Sequence, residues 1–394
     1  MFKKILTIVT LILIVVVVWS AREDIIEAIN YLTNTNIFFV IMLIPEQLFM
    51  YYCAGQMFFS YMAAKANAEQ KQKQKADKTE VRQDTLSEIS ELRQEVEKVD
   101  NDVEEPIIAP NKVSSWLLAR ISFELNFVNH AIPSGGVAGL GYITWRLKAF
   151  GSSVGQTSFM YALRYVITIL SNQFQTIVAI IIMLIMGGIS HEAYWVVGLT
   201  CLICVGVIAA IAAVIVVASS KKRINWFAKV GAKFVNSFVK TVTFGRKKEV
   251  VKRSVIEEYL GDINRDLMTA RRNKKILIHP IGWGVVYSFL EVATYWLVGI
   301  SMGHPEILPQ IMVGEAIASV IGAVMLTPGG VGGYEGTMIF IMSVLGVDIG
   351  LATAVVITTR VVVLIGTIVS GYGFYQNAVS KIGKKERNQI LGEE

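Results

Sequence analysis

Long apolar runs are the main feature in the pattern of hydrophobic and polar positions along this chain. Most of them exceed the roughly 20 residues that an α-helix needs to cross a bilayer. The runs are nearly free of charge and lie at 5–18, 37–62, 160–187, 193–218, 276–301 and 350–376. This pattern predicts an all-α polytopic membrane protein with about six full spans. It excludes a β-barrel, because barrel strands are short and alternate polar with apolar residues.

Composition and charge agree with that class and add an orientation. Only 17% of the 394 residues are charged, against about a quarter in a soluble domain. Residues 219–275 hold sixteen Lys and Arg against five Asp and Glu, so the positive-inside rule places this basic loop in the cytoplasm. Lys3, Lys4 and the basic tail at 377–394 predict that both termini lie on the cytoplasmic side of the cell membrane.

The first 36 residues contain the first of the apolar runs. Residues 1–36 are predicted to form a first transmembrane helix, at 5–20, followed by an external loop. A cleaved signal peptide is the alternative, because Val18-Trp19-Ser20 could precede a cleavage site. Both interpretations stay open at the level of the sequence.

Two further apolar segments, 115–150 and 308–347, cannot cross the membrane once the flanking spans are oriented. The spans on either side leave both ends of 115–150 in the cytoplasm and both ends of 308–347 outside. Each segment is therefore predicted to be a re-entrant helical hairpin. The two hairpins enter the membrane from opposite faces, and we refer to them as the first and the second hairpin.

Each hairpin has a Pro/Gly break at its centre, and the two breaks resemble each other. Aligned on Gly-Gly-Val, they lie 194 residues apart, and Gly151 and Gly346 close the two segments at matching places. The chain then reads as an inverted repeat of half one, 37–218, and half two, 276–376, an architecture typical of secondary transporters. The alternative is that Pro and Gly merely turn two short helix pairs. The residues at the breaks are Pro133, Gly135, Gly136, Pro328, Gly329 and Gly330.

Ionisable side chains in apolar segments supply the candidate chemistry. A charge facing lipid is costly, so such residues should face the protein interior or water. Arg164 and Arg360 each follow a hairpin at a similar distance, and guanidinium groups bind phosphate in a bidentate manner. With Glu335 and the break residues, they form a predicted site for a lipid headgroup. A purely structural pair of Arg360 with Glu335 is the alternative. The other such residues are Arg120, Glu124, His130, His279, Glu291 and Glu315.

No metal site or cofactor is predicted from these residues. His130 and His279 have no companions at ligand spacing, and packing roles are expected for both. The pair Cys201 and Cys204 lies in an apolar run without histidine or acid. This pair is predicted to be two buried free thiols, and Cys53 also lies inside an apolar run.

Two polar segments separate the apolar ones. Residues 63–112 are predicted to be a charged cytoplasmic insertion, and 81–103 carry a short coiled-coil seam that needs a second helix. This helix could come from another subunit, from a different partner or from residues 64–80, and a mere spacer is the alternative. The basic loop is predicted to place an amphipathic face on anionic lipid, although ordinary positive-inside signalling would also explain its charge. The membrane-surface residues of this face are Phe227, Lys229, Lys233 and Phe234.

The second break resembles a known family signature. The stretch Leu326-Thr327-Pro328-Gly-Gly-Val-Gly-Gly-Tyr-Glu335-Gly is similar to the flippase-like transmembrane region of lysylphosphatidylglycerol synthases, the multiple peptide resistance factors. The first break departs from that pattern, since Gly139-Leu140-Gly141 stand where an acidic residue is usual. The resemblance implies translocation of an aminoacylated or otherwise modified lipid. It also implies a stand-alone member, without the soluble aminoacyl-transferase domain.

Three functions are consistent with these features. The preferred hypothesis is a lipid flippase or transporter that performs no bond chemistry and binds membrane lipids with anionic or phosphate-bearing headgroups. The alternatives are an enzyme or accessory subunit of lipid or glycolipid synthesis, and a non-transporting membrane scaffold. The chain has no phosphate-binding P-loop. Its Asp-x-Asp sequence at 100–102 lies in the charged insertion, and its Gly-x-Ser-x-Gly sequence at 151–155 lacks the preceding strand of a nucleophile elbow, so no enzyme activity is predicted. Neither a cofactor nor nucleic acid is expected as a partner.

Overall fold

The computed structural model describes residues 26, 30–31, 35–80, 114–131, 137–148, 150–186, 191–218, 220, 223, 253–324 and 332–391. These residues form helices joined by short turns, and there is no strand among them. The ten helices described are α1 Ile37–Glu80, α2 Ser115–Ala131, α3 Val137–Lys148, α4 Val154–Ile185, α5 Tyr194–Ala218, α6 Arg253–Arg272, α7 Ile278–Ser301, α8 Leu308–Val324, α9 Gly333–Val344 and α10 Ile349–Leu391. Single 3-10 turns precede α5, α7 and α8.

Five of these helices, α1, α4, α5, α7 and α10, are long and apolar enough to cross a membrane. The predicted all-α multi-pass membrane protein is thereby confirmed, while the predicted first span lies outside the described residues. Large apolar side chains such as Phe174 and Val369 stay more than half exposed, as a lipid-facing surface requires. Cys53 and Cys204 are buried, but Cys201 is exposed, so its predicted burial was wrong. Most of the surface of α5 faces away from the bundle, and Cys201 lies on that surface.

The two predicted hairpins have the same helix lengths. In each, a 17-residue helix, α2 or α8, is followed across the break by a 12-residue helix, α3 or α9. At 1.5 Å per residue these helices measure roughly 25 and 18 Å, short of the roughly 30 Å hydrocarbon core. Within each pair the helices pack antiparallel. The pairs are therefore helical hairpins, and their entry from opposite faces of a membrane stays a prediction.

The turn after each hairpin also repeats. Gly151 and Gly346 have φ of 74° and 94°, a backbone conformation that glycine adopts without a steric penalty. At both turns, the N–H of the glycine and that of the next residue bond to carbonyls three and five residues earlier, which is the Schellman motif. The side chains of Ser153 and Asp348 then accept N–H groups at the start of α4 and α10. Two distant segments thus share one helix–turn–helix design.

The halves are interlocked, and they run in opposite directions. The hairpin of each half packs against the long helix of the other, α2 against α10 and α8 against α4. Neighbouring contacts fix the relative directions: α1 is antiparallel to α7, and α7 is parallel to α4. These contacts show that the helices α1 to α4 alternate in direction along the bundle. The helices α7 to α10 also alternate, but each runs opposite to its counterpart in half one. Contacts that set these directions are Glu46–Thr294, Tyr52–Trp283, Ile167–Gly284, Gln175–Ser288, Asn172–Glu315, Gly322–Tyr334 and Phe127–Gly371.

The boundary predicted between span 37–62 and the insertion at 63 is not a structural boundary. Helix α1 continues without a break to Glu80, because Ala, Lys and Gln favour helix. Beyond the apolar part, Lys65 forms a 2.7 Å ion pair with Asp266 of α6, and Tyr61 donates to the same carboxylate. The basic loop therefore contains a helix, α6, that docks on the bundle. The seam at 81–103 lies outside the described residues.

The orientation of the bundle can be tested by cysteine labelling. Lys148 and Glu306 are both exposed and lie at opposite ends of the helices. In a background without native cysteines, we expect Glu306→Cys to react with a membrane-impermeant maleimide in intact cells. Lys148→Cys should react only after permeabilisation, since the basic loop lies at its end of the bundle. Labelling of Lys148→Cys from outside would contradict the predicted topology.

Candidate functional site

A cavity of about 150 Å³ lies between the two halves. Six helices contribute to its wall: α1 and α2 from half one, and α7 to α10 from half two. Eleven of its thirteen lining side chains carry a polar group. The lining residues are Met50, Tyr51, Asn126, His130, Tyr287, Glu291, Thr294, Tyr295, Glu315, Ser319, Tyr334, Arg360 and Val363. His130 lies at the end of α2, and Tyr334 lies at the start of α9, so residues flanking both breaks meet here.

Arg360 enters the cavity from α10 and is held by the first turn of α9. Its Nε donates to Glu335 Oε1 at 2.6 Å, and its guanidinium lies 4.3 Å from the ring centre of Tyr334. Glu335 also accepts the N–H of Gly332 at 2.7 Å, which caps the helix in the manner of a capping box. The sequence Gly332-Gly333-Tyr334-Glu335 thus starts α9 and positions the arginine. Arg360 keeps 22% of its side chain exposed, so it remains accessible from the cavity.

Arg164 lies beside the cavity rather than in its wall. Its guanidinium sits over the rings of Phe58 and Tyr287, at 6.0 and 5.3 Å from their centres, and approaches the Tyr287 hydroxyl at 3.5 Å. Among the described residues, no carboxylate forms an ion pair with it. Tyr287 separates Arg164 from the cavity and also donates to Glu291 at 3.0 Å. The predicted arginine pair is therefore near one cavity, with only Arg360 lining it.

Two carboxylates line the cavity, and a third lies behind Thr294. Glu315 is 2% exposed and accepts Ser319 at 2.6 Å and Asn172 at 3.2 Å, both on Oε1. Among the described residues, Glu291 accepts only Tyr287, and Glu46 accepts only Thr294, at 3.1 Å. In all three, Oε2 is buried and has no hydrogen-bond partner within the described part of the chain. Buried oxygens of this kind are rare in native proteins, and each calls for an explanation such as a catalytic role, strain, or a bound water or ion.

A buried polar cluster joins α4 to α7 and α8 next to Glu315. Asn172 lies between Glu315 and Ser288, donating to the acid and accepting the hydroxyl, and Gln175 donates to Ser288 at 2.9 Å. Thr176 reaches the backbone carbonyl of Met312 at 3.4 Å. Interhelical hydrogen bonds of this type hold membrane helices together. They attach Glu315 to half one and so link the acid to both halves.

The first hairpin carries its acid on a different helix from the second. Glu124 of α2 is fully buried and pairs with Arg146 of α3 at 2.7 Å and with Arg120 at 3.0 Å. A Cβ at Gly139 would overlap the side-chain oxygen of Asn129, so this glycine lets α2 and α3 approach. The first hairpin is thus closed by an ion cluster, whereas Glu335 of the second hairpin holds a cavity arginine.

The structure places some of the predicted site residues and leaves others outside its description. Arg360 and Glu335 form the pair that was the structural alternative, and Arg360 also lines the cavity. His130 bonds a backbone carbonyl at 2.9 Å while facing the cavity; His279 is exposed at the start of α7. The break residues Pro133, Gly135, Gly136, Pro328, Gly329 and Gly330, and the surface residues Phe227, Lys229, Lys233 and Phe234, lie outside the described residues.

Several residues in or next to the cavity were missed at the level of the sequence. Glu46 stands in an apolar run, and Asn172 and Gln175 interrupt another. Their signal is a polar side chain at one-turn spacing on a helix that is otherwise apolar. Tyr51, Tyr287 and Tyr334 carry no such signal, since tyrosine is common in spans.

Comparison with protein families gives a match over most of this region. The family model described as lysylphosphatidylglycerol synthase TM region matches residues 107–371, more than half of the chain. The matched segment contains both hairpins and every cavity residue except those of α1. A search of curated proteins and a search of solved structures gave no match.

Proposed function

Because the chain belongs to the lysylphosphatidylglycerol synthase TM-region family, we propose that it moves a lipid between the leaflets through the cavity between its halves. The substrate is a phospholipid or a modified lipid, aminoacylated or glycosylated, with a phosphate in its headgroup. The headgroup enters the cavity while the acyl chains remain in the bilayer. The protein makes and breaks no covalent bond in this step.

The observation that carries the proposal is Arg360, a partly buried guanidinium that lines a cavity between two oppositely directed halves. A phosphate that crosses a low-dielectric interior needs a counter-charge, and guanidinium suits it in charge and geometry. Arg360 is held by Glu335 and Tyr334 and keeps 22% of its side chain exposed, and its position in the cavity wall puts that exposed part within reach of a headgroup in the cavity. Broken helices that meet at such a site are the common design of carriers.

A leaflet-resolved assay in proteoliposomes tests the proposal. The purified protein is reconstituted in phosphatidylcholine vesicles with fluorescent NBD-phosphatidylglycerol, and dithionite bleaches the probe in the outer leaflet. We expect the bleached fraction to rise from about half, the share of lipid in one leaflet, toward completion, with no nucleotide added. Empty vesicles prepared in parallel give the baseline.

The alternatives predict different results in the same vesicles. Product formation from added lipid, detected by mass spectrometry, would favour an enzyme of lipid synthesis. Bleaching that stops at the level of empty vesicles, with no product, would contradict transport and favour a scaffold. An equal rise with phosphatidylcholine as the probe would mean that the phosphate alone suffices for recognition.

A further inference from the structure

The cavity contains acid groups that a phosphate-binding site does not need. Glu315 is 2% exposed and lines the cavity, and no described residue bonds to its Oε2. Glu291 also lines the cavity, and its buried Oε2 likewise has no partner among the residues that the structure describes. An ionised carboxylate in this position has too few donors for its charge, whereas the neutral acid has an O–H and carries no charge to solvate.

The charges around the cavity are out of balance with an anionic substrate. Arg360 is already paired with Glu335. Arg164 lies close enough to Glu291 to interact with it electrostatically, while Glu315 has no arginine of its own among the described residues. When every group is ionised, the site therefore already carries more negative than positive charge, and an entering phosphate adds to the negative charge. Binding of a proton to an acid removes that repulsion.

We propose that Glu315, supported by Glu291, binds a proton that crosses the membrane together with an anionic lipid headgroup. The inference rests on the proposed function and adds its driving force. The proton adds to Glu315 Oε2 as the headgroup enters and leaves as the headgroup departs, and only this O–H bond forms and breaks. One proton with one singly charged headgroup makes the step electroneutral.

Other titratable and charged groups face this pair from every neighbouring helix. Arg360 of α10 and Tyr334 of α9 lie across the cavity, with His130 of α2 beside them. Tyr287 and Tyr295 lie on α7, Arg164 on α4, Glu335 on α9, and Tyr51 and Glu46 on α1. Phenols and guanidinium groups keep one charge state near neutral pH, and His130 bonds a backbone carbonyl. Glu315 is the group with both full burial and an open oxygen.

The test measures the steady-state distribution of NBD-phosphatidylglycerol between leaflets under a pH difference of one unit. Proteoliposomes are prepared with valinomycin and equal K⁺ on both sides, which clamps the voltage. One proton per lipid predicts about tenfold accumulation in the leaflet on the alkaline side. An even distribution with rapid movement would overturn the coupling and leave the proposed function standing. No movement at all would overturn both.

Variants assign the coupling to the residue. In Glu315→Gln we expect the probe to move and to distribute evenly, whatever the pH difference. If Glu315→Gln does not fold, Glu291→Gln serves as the second variant, and we expect it to reduce the ratio of probe between the two leaflets. Glu306→Gln is the matched control, an exposed loop acid that should retain the tenfold ratio. A tenfold ratio in Glu315→Gln would overturn the assignment. So would a ratio that changes when choline replaces Na⁺ in the buffer, because the coupled ion would then be Na⁺.

Discussion

Replacing Arg360 by glutamine should lower the rate of lipid translocation by about 10- to 100-fold. The free energy of unfolding should fall by less than this loss corresponds to, so the melting temperature should change little. Loss of a buried charged hydrogen bond to a ligand costs a few kcal/mol, and each 1.4 kcal/mol is about tenfold. The fold loses less, because Glu335 keeps its bond from the Gly332 N–H and glutamine can still donate to it. NBD-phosphatidylglycerol translocation and thermal unfolding, measured on one preparation, give both numbers.

A second variant separates headgroup binding from the ion pair. Glu335→Gln combined with Arg360→Gln leaves no unpaired charge, so it should recover the stability lost in the single variant. We expect its translocation to stay as low as that of Arg360→Gln, because the guanidinium is still absent. Recovery of translocation along with stability would show that Arg360 acts only through its pair with Glu335. Unchanged translocation in Arg360→Gln would end the headgroup hypothesis.

Much of the fold could be predicted, because its strongest signals are local. Apolar length gives the spans, and Pro/Gly breaks with Gly151 and Gly346 give the hairpins and their turns, since these residues end helices in any context. The apolar run ends at residue 62, but the helix does not, because α1 continues through Ala-, Lys- and Gln-rich sequence to Glu80. The exchange of hairpins between the halves depends on contacts such as Phe127–Gly371, which no local pattern reveals.

The site could be predicted only in part. Arg360 and Glu335 stood out because charges are rare in apolar segments, yet the sequence could not decide between an ion pair and a cavity residue. The structure shows that Arg360 is both. The stacking of Arg164 on Tyr287 and the proximity of Glu291 to Glu315 arise from helices far apart in sequence. Burial and missing hydrogen bonds, which single out Glu315, are properties of the packed bundle alone.

Replacing Glu124 by alanine should destabilise the protein by about 3–5 kcal/mol, the usual cost of removing one partner from a buried ion cluster. Glu124 is fully buried between Arg120 and Arg146 and also accepts the Tyr142 hydroxyl at 2.8 Å. Without it, the Arg146 guanidinium, 10% exposed, loses its carboxylate partner between α2 and α3. Thermal unfolding in detergent should show a large fall in melting temperature and in the yield of monodisperse protein.

The double variant Glu124→Gln with Arg146→Gln shows whether the charges or the shape of the cluster hold the first hairpin. The two amides can bond to each other and leave no buried charge of this pair uncompensated, so part of the stability lost in the single variants should return. Glu306→Ala, in an exposed pair with His304, should leave the melting temperature unchanged and serves as the control. If Glu124→Ala melts like Glu306→Ala, the cluster does not hold α2 against α3. The first hairpin would then depend on its apolar contacts with α10.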